Sequence, residues 1–208
     1  MGLKKTIDET KKENKGIEGE ATKDNTYSSK NKISDEGAAV IEFKRAVEKL
    51  FNVNGWSDLP GVSSSFQLYD RMGKKKYADK PKLRDYIKIL LPGPIPENWV
   101  VVTDIKEGKK SAEFTVSPSR DPTAKGEERE EIKHFFIKEA TSTFKVELRG
   151  MTIYAYEIGM NEGINNKGEE AGKREIINTL IAEGGWAGFQ KYQWKKLTDY
   201  LVHKEEIE

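Results

Sequence analysis

The stretch TSTFKVELRGMTIYAYEI, residues 141–158, alternates apolar and polar side chains on both sides of an Arg149-Gly150 pair. This is the pattern of two antiparallel strands joined by a tight turn, with Gly150 supplying a positive φ at no steric cost. The pairing expected from an Arg149-Gly150 turn joins Leu148 to Met151, Val146 to Ile153 and Phe144 to Ala155, so one face is wholly apolar. The other face joins Glu147 to Thr152, Lys145 to Tyr154 and Thr143 to Tyr156, a mixed face of rings with polar tips. A slip of one residue would exchange the faces, so the apolar set specifies the register. Glu147 and Glu157 are read onto the mixed face, too far apart along it to serve as an acid and base pair.

Upstream of this hairpin, Phe66 to Tyr69, Tyr86 to Leu91, Trp99 to Ile105 and Ala112 to Val116 read as further strands. The last two are joined through Glu107, Gly108 and Lys109. Ser34, Asp35 and Glu36 open a helix that runs to about Phe51, with Ile41, Val47, Leu50 and Phe51 along its apolar side and Val40 and Phe43 beside them. Trp56 and Leu59 lie in the loop that follows and pin this helix to the core. The segment Ile132 to Ala140 fits either a helical turn or a buried strand.

Downstream, a helix is expected from about Glu169 to Glu183 and a second from about Trp186 to Lys204. At 100° per residue Trp186, Phe189, Gln190, Gln193, Trp194, Leu197, Tyr200 and Leu201 share one broad face of the last helix. The fold class is therefore α+β: a largely antiparallel sheet of five or six strands, packed by an N-terminal helix and two C-terminal helices.

Residues 1–33 differ in character. Leu3, Ile7, Ile17, Ala21, Tyr27 and Ile33 are scattered without period among charged and polar residues. Burial at roughly 25 cal/mol per Å² cannot offset about 1 to 2 kcal/mol of backbone entropy per ordered residue in such a segment. It is read as a disordered polar arm, with a single domain over 34–208. Met1 to Thr6 matches the short pattern for N-terminal myristoylation and is read as an ordinary solvated start.

Composition excludes several chemistries. The chain has no Cys, so disulfides, thiolate metal sites and thiol nucleophiles are ruled out. Its two histidines, His134 and His203, are far apart and read as structural, which leaves no His-based metal cluster. No glycine-rich phosphate fingerprint occurs, so no metal and no cofactor is expected. A net charge of +1 argues against a nucleic-acid binder, and no run is apolar enough to span a bilayer. A cytoplasmic protein is the expectation. The segment Asp70 to Lys88 carries a local basic excess, and Glu127, Glu128, Glu130 and Glu131 form an acidic counterpart.

The most informative polar residues are Gln190 and Gln193, which interrupt an apolar helix face. Buried amides must find partners or cost roughly 1 to 3 kcal/mol each. Either they bond the sheet edge, or the helix bridges a cavity that Gln190, Gln193, Trp194, Tyr154 and Tyr156 line as ligand-binding residues. With no reactive constellation in view, the leading expectation is a non-catalytic interaction module or assembly subunit, its arm ordering on a protein partner or a second copy. The alternative is a binder of an apolar small molecule between sheet and helix, and an enzyme of unassigned reaction comes third.

Strand hairpins followed by a long helix beginning Gly185, Trp186, Ala187, Gly188 and Phe189 resemble the helix-grip fold of the polyketide cyclase and START-like proteins. The resemblance covers about the last 70 residues. It implies a terminal helix that covers a curved antiparallel sheet and closes a ligand pocket. A single helix preceding all strands is the expected difference from that family, which opens with a strand and two short helices.

Overall fold

The computed structural model describes residues 22–77, 80–92, 97–126, 132, 136–162 and 185–207. Seven strands form one antiparallel sheet: β1 (Lys23–Lys32), β2 (Ser65–Tyr69), β3 (Tyr86–Leu90), β4 (Asn98–Glu107), β5 (Ser111–Pro118), β6 (Thr141–Arg149) and β7 (Thr152–Glu162). Their order is β1-β7-β6-β5-β4-β3-β2, so the first strand closes against the last. Helix α1 (Glu36–Phe51) and a 3-10 turn (Val53–Asp58) follow β1, and helix α2 (Gly185–Leu201) follows β7. The α+β class holds, with seven strands in place of five or six. The helix expected over 169–183 lies outside the described residues. Among the described residues no helix is long and apolar enough to cross a membrane.

The opening strand corrects the boundary at Ser34, because β1 runs through the segment assigned to the arm and pairs with β7 from Lys23 to Lys32. The reason is chemical. Beside Tyr27, which packs against the core, its inward positions bond rather than bury hydrocarbon: Ser29 Oγ donates to Asp199 Oδ1 at 2.7 Å and shares a hydrogen bond of 2.9 Å with Thr198 Oγ1. Asn31 Nδ2 donates to the Val202 carbonyl at 2.9 Å. A strand of this kind has no apolar period to read. It also removes the expected difference from the helix-grip order, since a strand now precedes the first helix.

Helix α1 starts where expected, capped by Asp35, whose Oδ1 accepts from the Ala38 amide at 2.8 Å. That amide holds the Asp35 carboxyl below its ordinary pKa. Its buried side is Ala39, Phe43, Ala46 and Leu50, whereas Val40 and Ile41 are exposed. The packing face is thus rotated from the expected one, because small alanines let the helix approach the sheet closely. Trp56 is 1% exposed and sits at the centre of an aromatic cluster, with ring centroids 5.6 Å from Phe66, 5.9 Å from Phe114 and 5.0 Å from Phe144.

The β6–β7 hairpin keeps its predicted faces but shifts register by two residues. Arg149 pairs with Thr152, Leu148 with Ile153, Val146 with Ala155 and Phe144 with Glu157. The turn is therefore Gly150-Met151, with Gly150 at φ 57, which puts glycine at the first central position where a hairpin turn most needs it. An even shift conserves side-chain parity, so Phe144, Val146, Leu148, Ile153 and Ala155 all face the core.

The basic segment is substantially neutralised. Lys76 pairs with the buried Asp85 at 2.6 Å, and Lys80 and Lys88 pair with Glu107 and Glu97. Its acidic counterpart, from Glu127 to Glu131, lies outside the described residues, as do His134 and the first 21 residues. His203 sits in the turn after α2 at φ 63, with Nε2 2.8 Å from the Glu42 carbonyl oxygen. Burial lowers its pKa, which favours the neutral imidazole.

Candidate functional site

The inner face of the sheet is filled at one end and hollow at the other. At the hairpin end, Val146, Leu148, Ile153 and Ala155 share a core with Ala39, Phe43, Ala46 and Leu50 of α1. At the opposite end, where β3, β5 and β7 finish and β4 and β6 begin, a cavity of about 700 Å³, mouth included, lies beneath the first half of α2. Trp56, Phe66, Val116, Phe144, Phe189 and Trp194 give it apolar walls. Trp194 closes it by packing against Phe144 at 5.5 Å and Phe66 at 6.5 Å. An apolar lining interrupted by a few polar side chains is that of small-molecule pockets.

Five polar side chains interrupt these walls: Asn98, Ser142, Glu162, Gln190 and Gln193. Their partners differ. Gln193, 3% exposed, accepts a hydrogen bond from the buried Ser64 hydroxyl through Oε1, which leaves its amide nitrogen with no partner among the described residues. Gln190 is 7% exposed and its side chain makes no hydrogen bond to any described residue. An amide so placed can donate to and accept from whatever enters the pocket.

The carboxyl of Glu162 reaches the cavity through a local break in β7. Pairing with β1 shifts by one residue between Asn25↔Gly159 and Lys23↔Glu162, and Asn161 takes φ 54. This is a β-bulge, which reverses the facing of every later residue on its strand. Without it Glu162 would share the outer face with Tyr154 and Tyr156; with it the residue is 8% exposed and lines the cavity. Two groups on β1 hold the bulge: Asp24 Oδ1 accepts from the Asn161 amide at 2.8 Å, and Asn25 Nδ2 donates to Glu162 Oε2 at 2.6 Å. Gly159 leaves the space that the carboxyl occupies, since a Cβ there would stand 2.7 Å from Glu162 Cδ.

Glu157 lies on the same inner face, opposite Phe144, and is fully buried. Placing it on the mixed face is therefore corrected: its strand alternates with Ile153 and Ala155, both in the core. Neither of its oxygens makes a hydrogen bond in the structure. Burial pushes its pKa well above the ordinary carboxylate value, the Glu162 charge adds to the rise, and the Ser142 hydroxyl opposes it. Burial also raises the pKa of Glu162, against the donation from Asn25 and the charge of Lys23.

Of the five residues singled out from the sequence, Gln190, Gln193 and Trp194 come together at the cavity. Tyr154 and Tyr156 do not. They stack on each other at 6.3 Å on the outer face, with the Arg149 guanidinium 4.9 Å over Tyr154. The same alternation that turns Phe144 inward turns both tyrosines outward. Sequence reasoning missed Glu157 and Glu162; strict alternation from Ile153 gives the first, whereas the bulge that aims the second leaves no periodic trace.

No family model matches this chain, and no curated protein matches it. Among solved structures, a hypothetical protein from Helicobacter pylori aligns with a TM-score of 0.54 at 15% identity, covering 93% of this chain and 94% of that one. Norcoclaurine synthase from Thalictrum flavum aligns at 0.40 with 10% identity, over 91% and 93% of the two chains. Major latex-like protein 151 from Panax ginseng aligns at 0.37 with 11% identity, over 78% and 95%. The chain shares its fold with the Helicobacter protein.

Proposed function

We propose that this protein binds an apolar small molecule with a polar end in the cavity between the sheet and α2. The carrying observation is a pocket walled by aromatic rings, into which a nearly buried Gln190 brings an amide that bonds no described residue. A protein under pressure only to be stable would fill this space or replace Gln190 with hydrocarbon. The interaction-module reading rested in part on the arm, and from Lys23 onward that arm is an integral strand. Native mass spectrometry of the purified chain, followed by solvent extraction, tests the proposal. A stoichiometric adduct of a few hundred daltons is expected; failure of both the native protein and the refolded, stripped protein to retain any apolar compound would refute it.

A further inference from the structure

The charge of the cavity narrows what it takes. Among the described residues, Glu162 is the one charged side chain in its lining; the charge of Lys23, its register partner on β1, acts on it from outside that lining. Behind Glu162 stands Glu157, fully buried and without a hydrogen bond, so two carboxyl groups share one desolvated end of the sheet. The placement is built rather than incidental. It takes a bulge at Asn161, two bonds from β1 and a glycine at 159 to turn Glu162 inward. An anionic occupant would meet like charge in a medium that screens poorly. A cation would meet a carboxylate at one end and aromatic faces along the rest, both of which attract it.

We propose that the occupant is an apolar amine, its ammonium group held at Glu162 and its body against Phe66, Phe144 and Trp194. Gln190, 7% exposed and bonding no described residue, supplies a carbonyl oxygen as a second acceptor for the ammonium hydrogens. This inference rests on the cavity being a ligand site, and the test separates the two.

Three probes of one shape, 4-phenylbutylamine, 4-phenylbutan-1-ol and 4-phenylbutanoate, are titrated calorimetrically into stripped, refolded protein at neutral pH. The amine is expected to bind about tenfold or more tighter than the alcohol, the worth of one charge-assisted hydrogen bond in a desolvated site, with the carboxylate weakest. Glu162→Gln keeps an oxygen to accept from Asn25 and should erase the preference of amine over alcohol. An alcohol or carboxylate that binds as tightly as the amine, or an amine preference that survives E162Q, overturns the inference and leaves the cavity reading intact. Failure of all three to bind removes both readings. The ranking on the unsubstituted protein decides the matter even where E162Q fails to fold.

Discussion

Gln190 and Gln193 are one helical turn apart and nearly equally buried, yet replacing each with leucine should change stability in opposite directions. Gln193 is bonded to Ser64, which is itself 2% exposed, so Gln193→Leu strands a buried hydroxyl and should cost about 1 to 3 kcal/mol. Gln190 bonds no described residue that leucine would strand. Gln190→Leu adds hydrocarbon to an aromatic wall, a gain of about 1 kcal/mol. For a domain of this size, each kcal/mol moves Tm by about 2 to 4 °C. Urea unfolding of the stripped proteins, with m held common, measures both changes. Loss of stability in Q190L comparable to that in Q193L would refute the reasoning, because it would show that Gln190 is bonded within the fold rather than reserved for an occupant.

The buried carboxyl of Glu157 should leave a pH signature. Its pKa is raised in the fold, so its favourable contribution is complete below the unfolded value of about 4.3 and is lost as pH rises through the folded pKa. Unsubstituted protein should lose stability relative to Glu157→Gln as pH climbs above the ordinary carboxylate range; parallel profiles by denaturant titration would count against it. At the seam between β1 and α2, Ser29→Ala with Asn31→Ala removes the bonds to Thr198, Asp199 and Val202 and should cost about 2 to 5 kcal/mol. A change under about 0.5 kcal/mol, the range of a neutral surface substitution, would mean that β1 adds nothing to the domain.

What the sequence disclosed follows from which forces leave a period. Strands β4 to β7 bury one face in hydrocarbon, and simple alternation located them along with Trp194 at the end of an apolar helix stripe. Strand β1 escaped because, beside Tyr27, its inward residues are Ser29 and Asn31, whose stabilisation comes from partners about 170 residues away. The hairpin slipped by two because Gly150 was given the second place in the turn. Parity survived the slip, and with it the faces. Tyr154 and Tyr156 were drawn into the site by their chemistry although the same parity turned them out. Glu162 obeyed no alternation at all, since one residue at φ 54 inverted the strand ahead of it.

The division of α2 into a moored half and a spanning half also determines how an occupant would be felt. Lys49 donates to the Tyr200 carbonyl, Ser29 bonds Thr198 and Asp199, and Asn31 bonds Val202, so the last turns are tied to α1 and β1 whatever the cavity holds. Phe189 to Trp194 instead lie over the cavity, where Gln193 bonds Ser64 and Trp194 packs on Phe66 and Phe144. Local opening of the two halves therefore draws on different reserves of free energy. Filling the cavity should thus slow amide exchange in the first half alone, as a gradient of protection along a single helix.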